Sequence, residues 1–264
     1  MLWTYKFSYA QFFKLPISLC LMKYEFVNKA LFFPEEGILV IGDLHLGYDY
    51  MIQQSGILIP ERQVKDIISD LKNIFEQIEK KNLKVKKFVF LGDIKHSFGY
   101  VWKEKNYFNE IIKFLKEKVD DKNIILVKGN HDTIDYSFGD RLEDYHTENE
   151  ISFVHGHRLI RDAFGKDVRI VVMGHLHPSA ILTEKKGVKK ENYKCFLTGE
   201  FKGKEVIVVP SFLGSSEGSP VNDFEEDYED YFSIIPKKNL MNFEVHVIGD
   251  DKVYSFGKVK DLNK

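Results

Sequence analysis

The sequence predicts an α/β protein built as a two-sheet β-sandwich flanked by helices, and three observations carry that prediction. Short apolar runs alternate with amphipathic helical patterns through the first half of the chain. In the second half, strand-like runs follow one another closely with few helical patterns between them. The composition suits a soluble globular protein with a full core: 264 residues, 44% hydrophobic and 30% charged. Helices outside two facing sheets bury both kinds of apolar face at once.

ILVIGD (38–43), entered from a Glu-Glu-Gly turn, reads as a buried strand. Pro60 suits a first helical turn, and Val64, Ile67, Ile68, Leu71, Ile74, Phe75 and Ile78 then recur at helical spacing. FVFLGD (88–93) is the next strand. Phe108, Ile111, Ile112, Leu115 and Val119 mark a second amphipathic helix, and IILVKGNHD (124–132) a third strand. Beyond it, ISFVHGH (151–157), RIVVMGHLH (169–177), YKCFLTGEF (193–201) and KEVIVVPSF (204–212) are strand-like, and FEVHVIG and VYSFGKV close the chain. Their close spacing predicts a sheet built by hairpins. SSEGSPVNDFEEDYEDY (215–231) is polar and acidic and reads as an exposed loop. There is no internal repeat.

Nothing marks a linker, so residues 22–264 read as a single domain. With 38 basic and 40 acidic side chains the formal charge is -2, which argues against a general nucleic-acid coat and leaves room for a local basic face. Cys20 and Cys195 are too few for a disulfide framework and point to a reducing, cytoplasmic compartment. The aromatic opening, MLWTYKFSYAQFFKLPISLCLMKYEF, is interrupted by Lys6, Lys14 and Pro16. It falls short of the roughly 18 apolar residues that span a bilayer. A signal peptide is the alternative, but no small-x-small cleavage site is there. Residues 1–21 read instead as an appendage from an upstream start codon, with the domain beginning at Met22.

The apolar runs end alike. ILVIGD continues into Asp43 and His45, FVFLGD ends on Asp93, and IILVKGN ends on Asn130, followed by His131 and Asp132. ISFVHGH supplies His155 and His157, and IVVMGHLH supplies His175 and His177. Ligand sites form at the carboxyl ends of strands, where loops converge. Asp, His and Asn without cysteine suit Mn, Fe or Zn. Asp43 and His45 are two apart, as are His175 and His177, so in extended chain each pair projects to one side. The ligands outnumber the four that one structural zinc takes. A two-metal site with one shared carboxylate accounts for the number better.

GDLH, GD, GNHD, VHGH and GHLH, in that order over about residues 38–178, resemble the calcineurin-like metallophosphoesterase family. The resemblance implies a sandwich of two sheets with a dinuclear centre at one edge. It implies that Asp43, His45 and His177 hold one ion, that Asn130, His155 and His175 hold the other, and that Asp93 bridges them. His131 would contact the phosphate and act as the acid toward the leaving group, with Asp132 orienting its ring. The ions expected are two divalent metals, manganese first, with iron, zinc, nickel or magnesium as alternatives. Two such ions about 3.5–4 Å apart polarise a phosphoryl oxygen and activate a water for in-line attack. A nearby histidine then protonates the departing oxygen, worth roughly 10²–10⁴-fold.

Competing readings exist for several residues. Asp132 also suits the N-cap of a helix starting at Thr133. His157 competes with His155, which the Val-His-Gly-His block favours. His146 and His246 lie outside every block. Protein Ser/Thr phosphatases of the family carry an Asp-Arg pair after the GD block, whereas this chain reads GDIKHSFG. His96 and Ser97 stand three and four residues after Asp93, without the arginine that would clamp a phosphomonoester. Lys95 and His96 are candidates for the edge of the site, His96 toward substrate, or are ordinary loop residues. GDLHLGYD, GDIKH and VHGHR most resemble the small archaeal and bacterial branch that includes DNA-ligase-associated phosphodiesterases. That implies a phosphodiesterase acting on nucleic acid or nucleotides, possible nuclease activity included, with no membrane partner. The lysine clusters at 80–87 and 184–190 read first as solvated surface, and the acidic run at 223–230 would repel a nucleic-acid backbone. The rival classes are a catalytically silent metal-binding scaffold, which an intact ligand set opposes, and a small-molecule phosphomonoesterase.

Overall fold

A hairpin opens the fold: β1 (Glu25–Val27) and β2 (Ala30–Phe33), turning at Asn28. The computed structural model describes residues 23–133, 138, 141–183, 190–223 and 233–262. Expectations for residues 1–21, for a helix beyond Thr133, for lysines 185–189 and for most of the acidic run lie outside the described residues.

After β2 come β3 (Ile38–Ile41), β4 (Lys87–Phe90) and β5 (Ile124–Val127), then the short β6 (Leu142–Glu143). These make a six-stranded sheet in the order β1-β2-β3-β4-β5-β6, parallel from β3 to β6. Every residue of β3 is buried, as expected of a strand covered on both faces. Leu39 and Ile41 face the helices, while Ile38 and Val40 face the second sheet. Two helices, α1 (Tyr48–Gln54) and α2 (Gln63–Lys80), cross over between β3 and β4, and α3 (Trp102–Lys116) between β4 and β5. The apolar stripe read from Val64 to Ile78 is the buried face of α2. That helix starts at Gln63 rather than Pro60, because the Asp49 carboxylate accepts from the N–H groups of Arg62 (3.4 Å) and Gln63 (3.2 Å). α1 leaves no periodic signal in the sequence, since Asp49 is its one buried residue.

The second sheet contains β7 (Tyr145–Glu148), β8 (Ile151–Val154), β9 (Ile170–Met173), β10 (Pro178–Thr183), β11 (Lys190–Phe201), β12 (Lys204–Val208) and β13 (Ser219–Pro220). Their order is β13-β10-β11-β12-β9-β8-β7, with β14 (Glu244–Ile248) beside β11 and β15 (Val253–Lys258) beside β14. Hairpins join β11 to β12 and β14 to β15, as the spacing predicted, and also β7 to β8 and β10 to β11, whose first strands the apolar runs did not mark. At the centre the prediction fails: β8–β9 and β9–β12 are parallel. Residues 155–169 carry the chain back to the start of the sheet, so β8, β9 and β12 end at one edge. A hairpin there would have sent His155 and His175 to opposite edges.

Between the sheets, Phe33, Val40 and Val89 pack against Phe153, Val172, Phe196 and Ile207. Phe33 and Phe153 meet edge to face at 6.3 Å. α2 and α3 cover the outer face of the first sheet. The outer face of the second is covered by α4 (Lys237–Leu240) and by single helical turns at 162–164 and 259–261. Among the described residues no helix is long and apolar enough to cross a membrane. Cys195 is buried with a free thiol.

Candidate metal centre

At the common edge, backbone hydrogen bonds tie the segment after β3 to that after β4, and the segment after β8 to that after β9. Asp43 N–H donates to Gly92 O (3.2 Å), His45 N–H to Asp93 O (2.9 Å) and Gly174 N–H to His155 O (3.1 Å). Two glycines of the motifs exist for this packing. A Cβ on Gly129 would collide with the Asp93 carboxylate, and one on Gly174 with the Asp43 carboxylate. Asp43, His45, Asp93, His175 and His177 all adopt left-handed backbone, with φ of 53°, 46°, 46°, 68° and 45°. Such conformations cost about 1–3 kcal/mol each in a non-glycine residue and persist where surrounding structure imposes them, commonly at functional sites. The other non-glycine residues with positive φ among those described lie outside these motifs, which sets the strand ends apart.

Three groups of ligand atoms result, each within 4.8 Å: Asp43, His45 and His177; Asp93, His155 and His175; and, sharing His45, a set of His45, His96 and His131. His177 Nε2 lies 3.2 Å from Asp43 Oδ1, and His45 Nε2 lies 3.2 Å from His177 Nε2. In the second group His155 Nε2 is 3.3 Å from Asp93 Oδ2 and 3.1 Å from His175 Nδ1. Asn130 joins it through Oδ1, 3.0 Å from His155 Nε2. His155 Nδ1 donates to Leu91 O (2.8 Å), which turns Nε2 toward the site. Asp93 Oδ2 reaches the first two groups, since His45 Nε2 is also 3.8 Å away. His157 stays outside them, half-buried, its ring 5.3 Å from that of His155.

The electrostatics suit cations. Asp43 and Asp93 are buried, and among the described residues their ion-pair partners are histidines rather than lysine or arginine. Burial alone would raise both carboxyls. His177 and His155 hold Asp43 below the usual carboxylate range, and His155 does the same for Asp93. His155 is pushed up to about 9, since the Asp93 and Asp43 carboxylates outweigh its burial. Burial pushes His45 down to about 4, and its Nδ1 is buried without a partner. Buried anions, imidazoles facing one another and oxygen–nitrogen donors fit two divalent ions, because unpaired buried charge is otherwise costly.

The remaining predicted residues are close by, with partners the sequence did not disclose. The N–H of His131 donates to Asp93 Oδ1 (2.9 Å), and its Nε2 is 3.9 Å from Asp93 Oδ2. Its Nδ1 donates to the carbonyl of His96 (2.5 Å). Asp132, expected to orient that ring, instead accepts from the backbone N–H groups of Gly129 (3.0 Å), Ile94 (3.1 Å) and Lys95 (3.3 Å). A carboxylate directly after the histidine is held by the Asp93 loop, so the ring takes a carbonyl from that same loop. Burial, with Asp93 nearby, raises the Asp132 carboxyl. The His96 ring comes within 4.8 Å of His45 and His131 through their nitrogens, and its Nε2 lies 3.2 Å from the Met51 sulfur.

Three supporting residues escaped the sequence reading. Gln63 is buried, its amide donating to Leu44 O (3.0 Å) and His45 O (2.8 Å) and accepting from Gly47 N (2.9 Å). Glu104 is buried and accepts from Ser97 N (2.8 Å), beside Lys95, whose ammonium donates to Ser97 O and to Gly99 O (3.2 Å). Ser211 donates to Asp43 O (2.9 Å). A signal for the first two was present: Gln63 precedes Ile67 by four residues and Glu104 precedes Phe108 by four. Each is a polar side chain in register with an apolar stripe, and a buried polar group needs a partner.

A two-sheet sandwich with paired Asp/His clusters where its strands end defines a metallophosphoesterase. The chain belongs to the calcineurin-like phosphoesterase family, whose model matches residues 37–199. It is thereby a phosphoric ester hydrolase of a family that binds divalent metals. Among curated proteins no sequence matches it. Among solved structures it is similar in fold to nuclease MPE of Pseudomonas putida, at 16% identity, covering 86% of this chain and 92% of that one, with a TM-score of 0.52. Vps29 of Entamoeba histolytica, a double mutant, matches at 16% identity over 83% of this chain and 96% of that one, with a TM-score of 0.35. A predicted phosphoesterase of Streptococcus pneumoniae matches at 13% identity over 84% and 97%, with a TM-score of 0.32.

Proposed function

We propose that this chain is a divalent-metal-dependent phosphodiesterase in which Asp43, His45 and His177 hold one ion, Asn130, His155 and His175 the other, and Asp93 lies between them. The observation that carries the reading is Asp93 Oδ2, at 3.3 Å from one ligand group and 3.8 Å from the other. Two ions bound there supply Lewis acidity and an activated water. Manganese is the first choice for this oxygen–nitrogen donor set.

The protein's own part is to hold and move a proton. With Nδ1–H held by the His96 carbonyl, His131 presents Nε2 to the site and can carry the proton for the leaving oxygen there. Asp132 fixes the loop that bears this carbonyl. Diester specificity is supported by the segment after Asp93: residues 94–102 contain no arginine, and the Lys95 ammonium is turned onto loop carbonyls. A monoester's second negative charge therefore meets no fixed cation from this segment. A nucleic acid or nucleotide substrate agrees with the fold's likeness to a protein titled a nuclease. Two cysteines, one of them buried and reduced, agree with a cytoplasmic location.

The test is a metal-by-substrate screen over diesters, monoesters, cyclic nucleotides and DNA. Manganese-dependent cleavage of diesters is expected. Preference for monoesters would refute the diester assignment, and inactivity with every metal would refute the enzyme reading.

A further inference from the structure

Large apolar side chains exposed to solvent are concentrated in two segments that follow motifs of the metal centre along the chain. Of the nine among the described residues, Met51, Ile57, Leu58, Phe98, Tyr100 and Trp102 occupy two segments, downstream of His45 and of Asp93. Both segments meet at His96, whose Nε2 is 3.2 Å from the Met51 sulfur and whose ring stacks on His131 at 5.6 Å and 26°. His131 then stacks on Phe98 at 4.3 Å and 22°. His96, His131 and Phe98 thus form a row of nearly parallel rings leading out of the site. Phe98 is still 59% exposed, with Tyr100 at 49% and Trp102 at 67% just beyond. The Thr133 hydroxyl fixes the Phe98 carbonyl (2.6 Å).

We infer that this rim is a stacking platform for a planar ring attached to the substrate close to the scissile phosphate, on the leaving-group side. The inference rests on the reading of His131 as the acid: a group departing beside its Nε2 leaves past the ring row. Patches of exposed apolar surface mark binding sites, and parallel rings favour a flat group over a flexible chain. Residues 97–102 carry no charged side chain, so this rim recognises a ring and not further phosphates. A protein docked on the rim would cover His131. Nucleobases and simple aryl groups share the required chemistry.

The test is binding of phosphonates, which the enzyme cannot cleave at their P–C bond, to the metal-loaded full chain by calorimetry. Benzylphosphonate and the methylene analogue of adenosine monophosphate are compared with methylphosphonate and cyclohexylmethylphosphonate. A stacked ring is expected to tighten binding roughly tenfold over methylphosphonate, with the saturated ring gaining much less. Trp102→Ala and Phe98→Ala should each reduce the gain while leaving methylphosphonate affinity intact for Trp102→Ala, and Trp102→Phe should restore it. Trp3 and Trp102 are the two tryptophans, so in a Trp3→Phe background the aryl ligands should also quench Trp102 emission. Whichever of the benzyl and adenosine ligands binds tighter names the source of the ring. If methylphosphonate binds and rings add nothing, the platform is wrong while the phosphate site stands. If neither methylphosphonate nor its monomethyl ester, which carries the single charge of a diester, binds, the reading of the site falls, and the platform with it. A change in oligomeric state of Trp102→Ala, with ring selectivity unchanged, would make the rim a self-association surface instead.

Discussion

Replacing Gln63 with leucine tests whether the His45 loop is held from behind by helix α2. The substitution keeps the volume and apolar fit of a buried position but removes three hydrogen bonds, to Leu44 O, His45 O and Gly47 N. His45 O keeps the Tyr48 N–H (3.1 Å), so two backbone groups, Leu44 O and Gly47 N–H, are left buried and unpaired, at about 1–3 kcal/mol each. The leucine recovers roughly 1.5–3 kcal/mol through added apolar burial. The net loss is then on the order of 1–3 kcal/mol, with some relief if water reaches Gly47. Urea denaturation of the metal-free protein measures it directly. Function should suffer further, because His45 holds its left-handed backbone only while the loop is fixed, and its ligand group should lose metal affinity before the other group does. Gln63→Glu retains the acceptor for Gly47 but loses both donors, so it should fall at least as low as Gln63→Leu in metal affinity. If Gln63→Leu unfolds within 0.5 kcal/mol of the parent, on the order of an ordinary surface change, and binds both ions normally, the clamp plays no part.

Asp93→Asn should lower occupancy of both ions and abolish turnover while the fold persists, since the apolar residues of β4 are untouched; elemental analysis showing two ions at full occupancy would contradict the bridging position. His131→Ala should keep both ions yet lose roughly 10²–10⁴-fold on poor leaving groups and less on an activated aryl diester, and an equal loss on both would make it a phosphate-positioning residue. Asp132→Asn should act mainly on stability and on the 94–97 loop, because its carboxylate serves three backbone N–H groups; a normal unfolding midpoint with lost activity would restore its role at the ring. Lys194, half-buried with its amine on the carbonyls of Ser211 (2.8 Å) and Leu213, is pushed by burial and by Lys29 from the ordinary lysine value of 10.5 down to about 7. Between those values the unfolded chain holds a proton that the folded one lacks, so stability should rise with pH through that window, and Lys194→Met should flatten the rise; an unchanged slope in denaturation at pH 7 to 10 would show that the amine stays charged.

Continuous apolar runs placed β3, β4 and β5, and helical spacing placed the stripe of α2, because a strand covered on both faces is apolar throughout and a helix buries one stripe at its own period, patterns written locally in the chain. The five motif blocks were legible for a related reason: the side chains proposed as metal ligands follow directly on strand ends, and glycine stands where carboxylates pack against backbone. Sequence alone also named the donor chemistry, oxygen and imidazole without thiolate. It did not contain the direction of β9 beside β8 and β12, since antiparallel and parallel neighbours bury the same residues; only the path of residues 155–169 decided that, and with it the meeting of His155 and His175 at one edge. Nor did it contain the partner of the His131 ring. Adjacency suggested Asp132, but a carboxylate binds whichever donors the fold brings to it, and here those are the N–H groups of Gly129, Ile94 and Lys95. Hydrogen-bond partners across 35 or more positions of sequence, such as His96 O and His131 Nδ1, are set by how loops converge in space, and no local pattern records them.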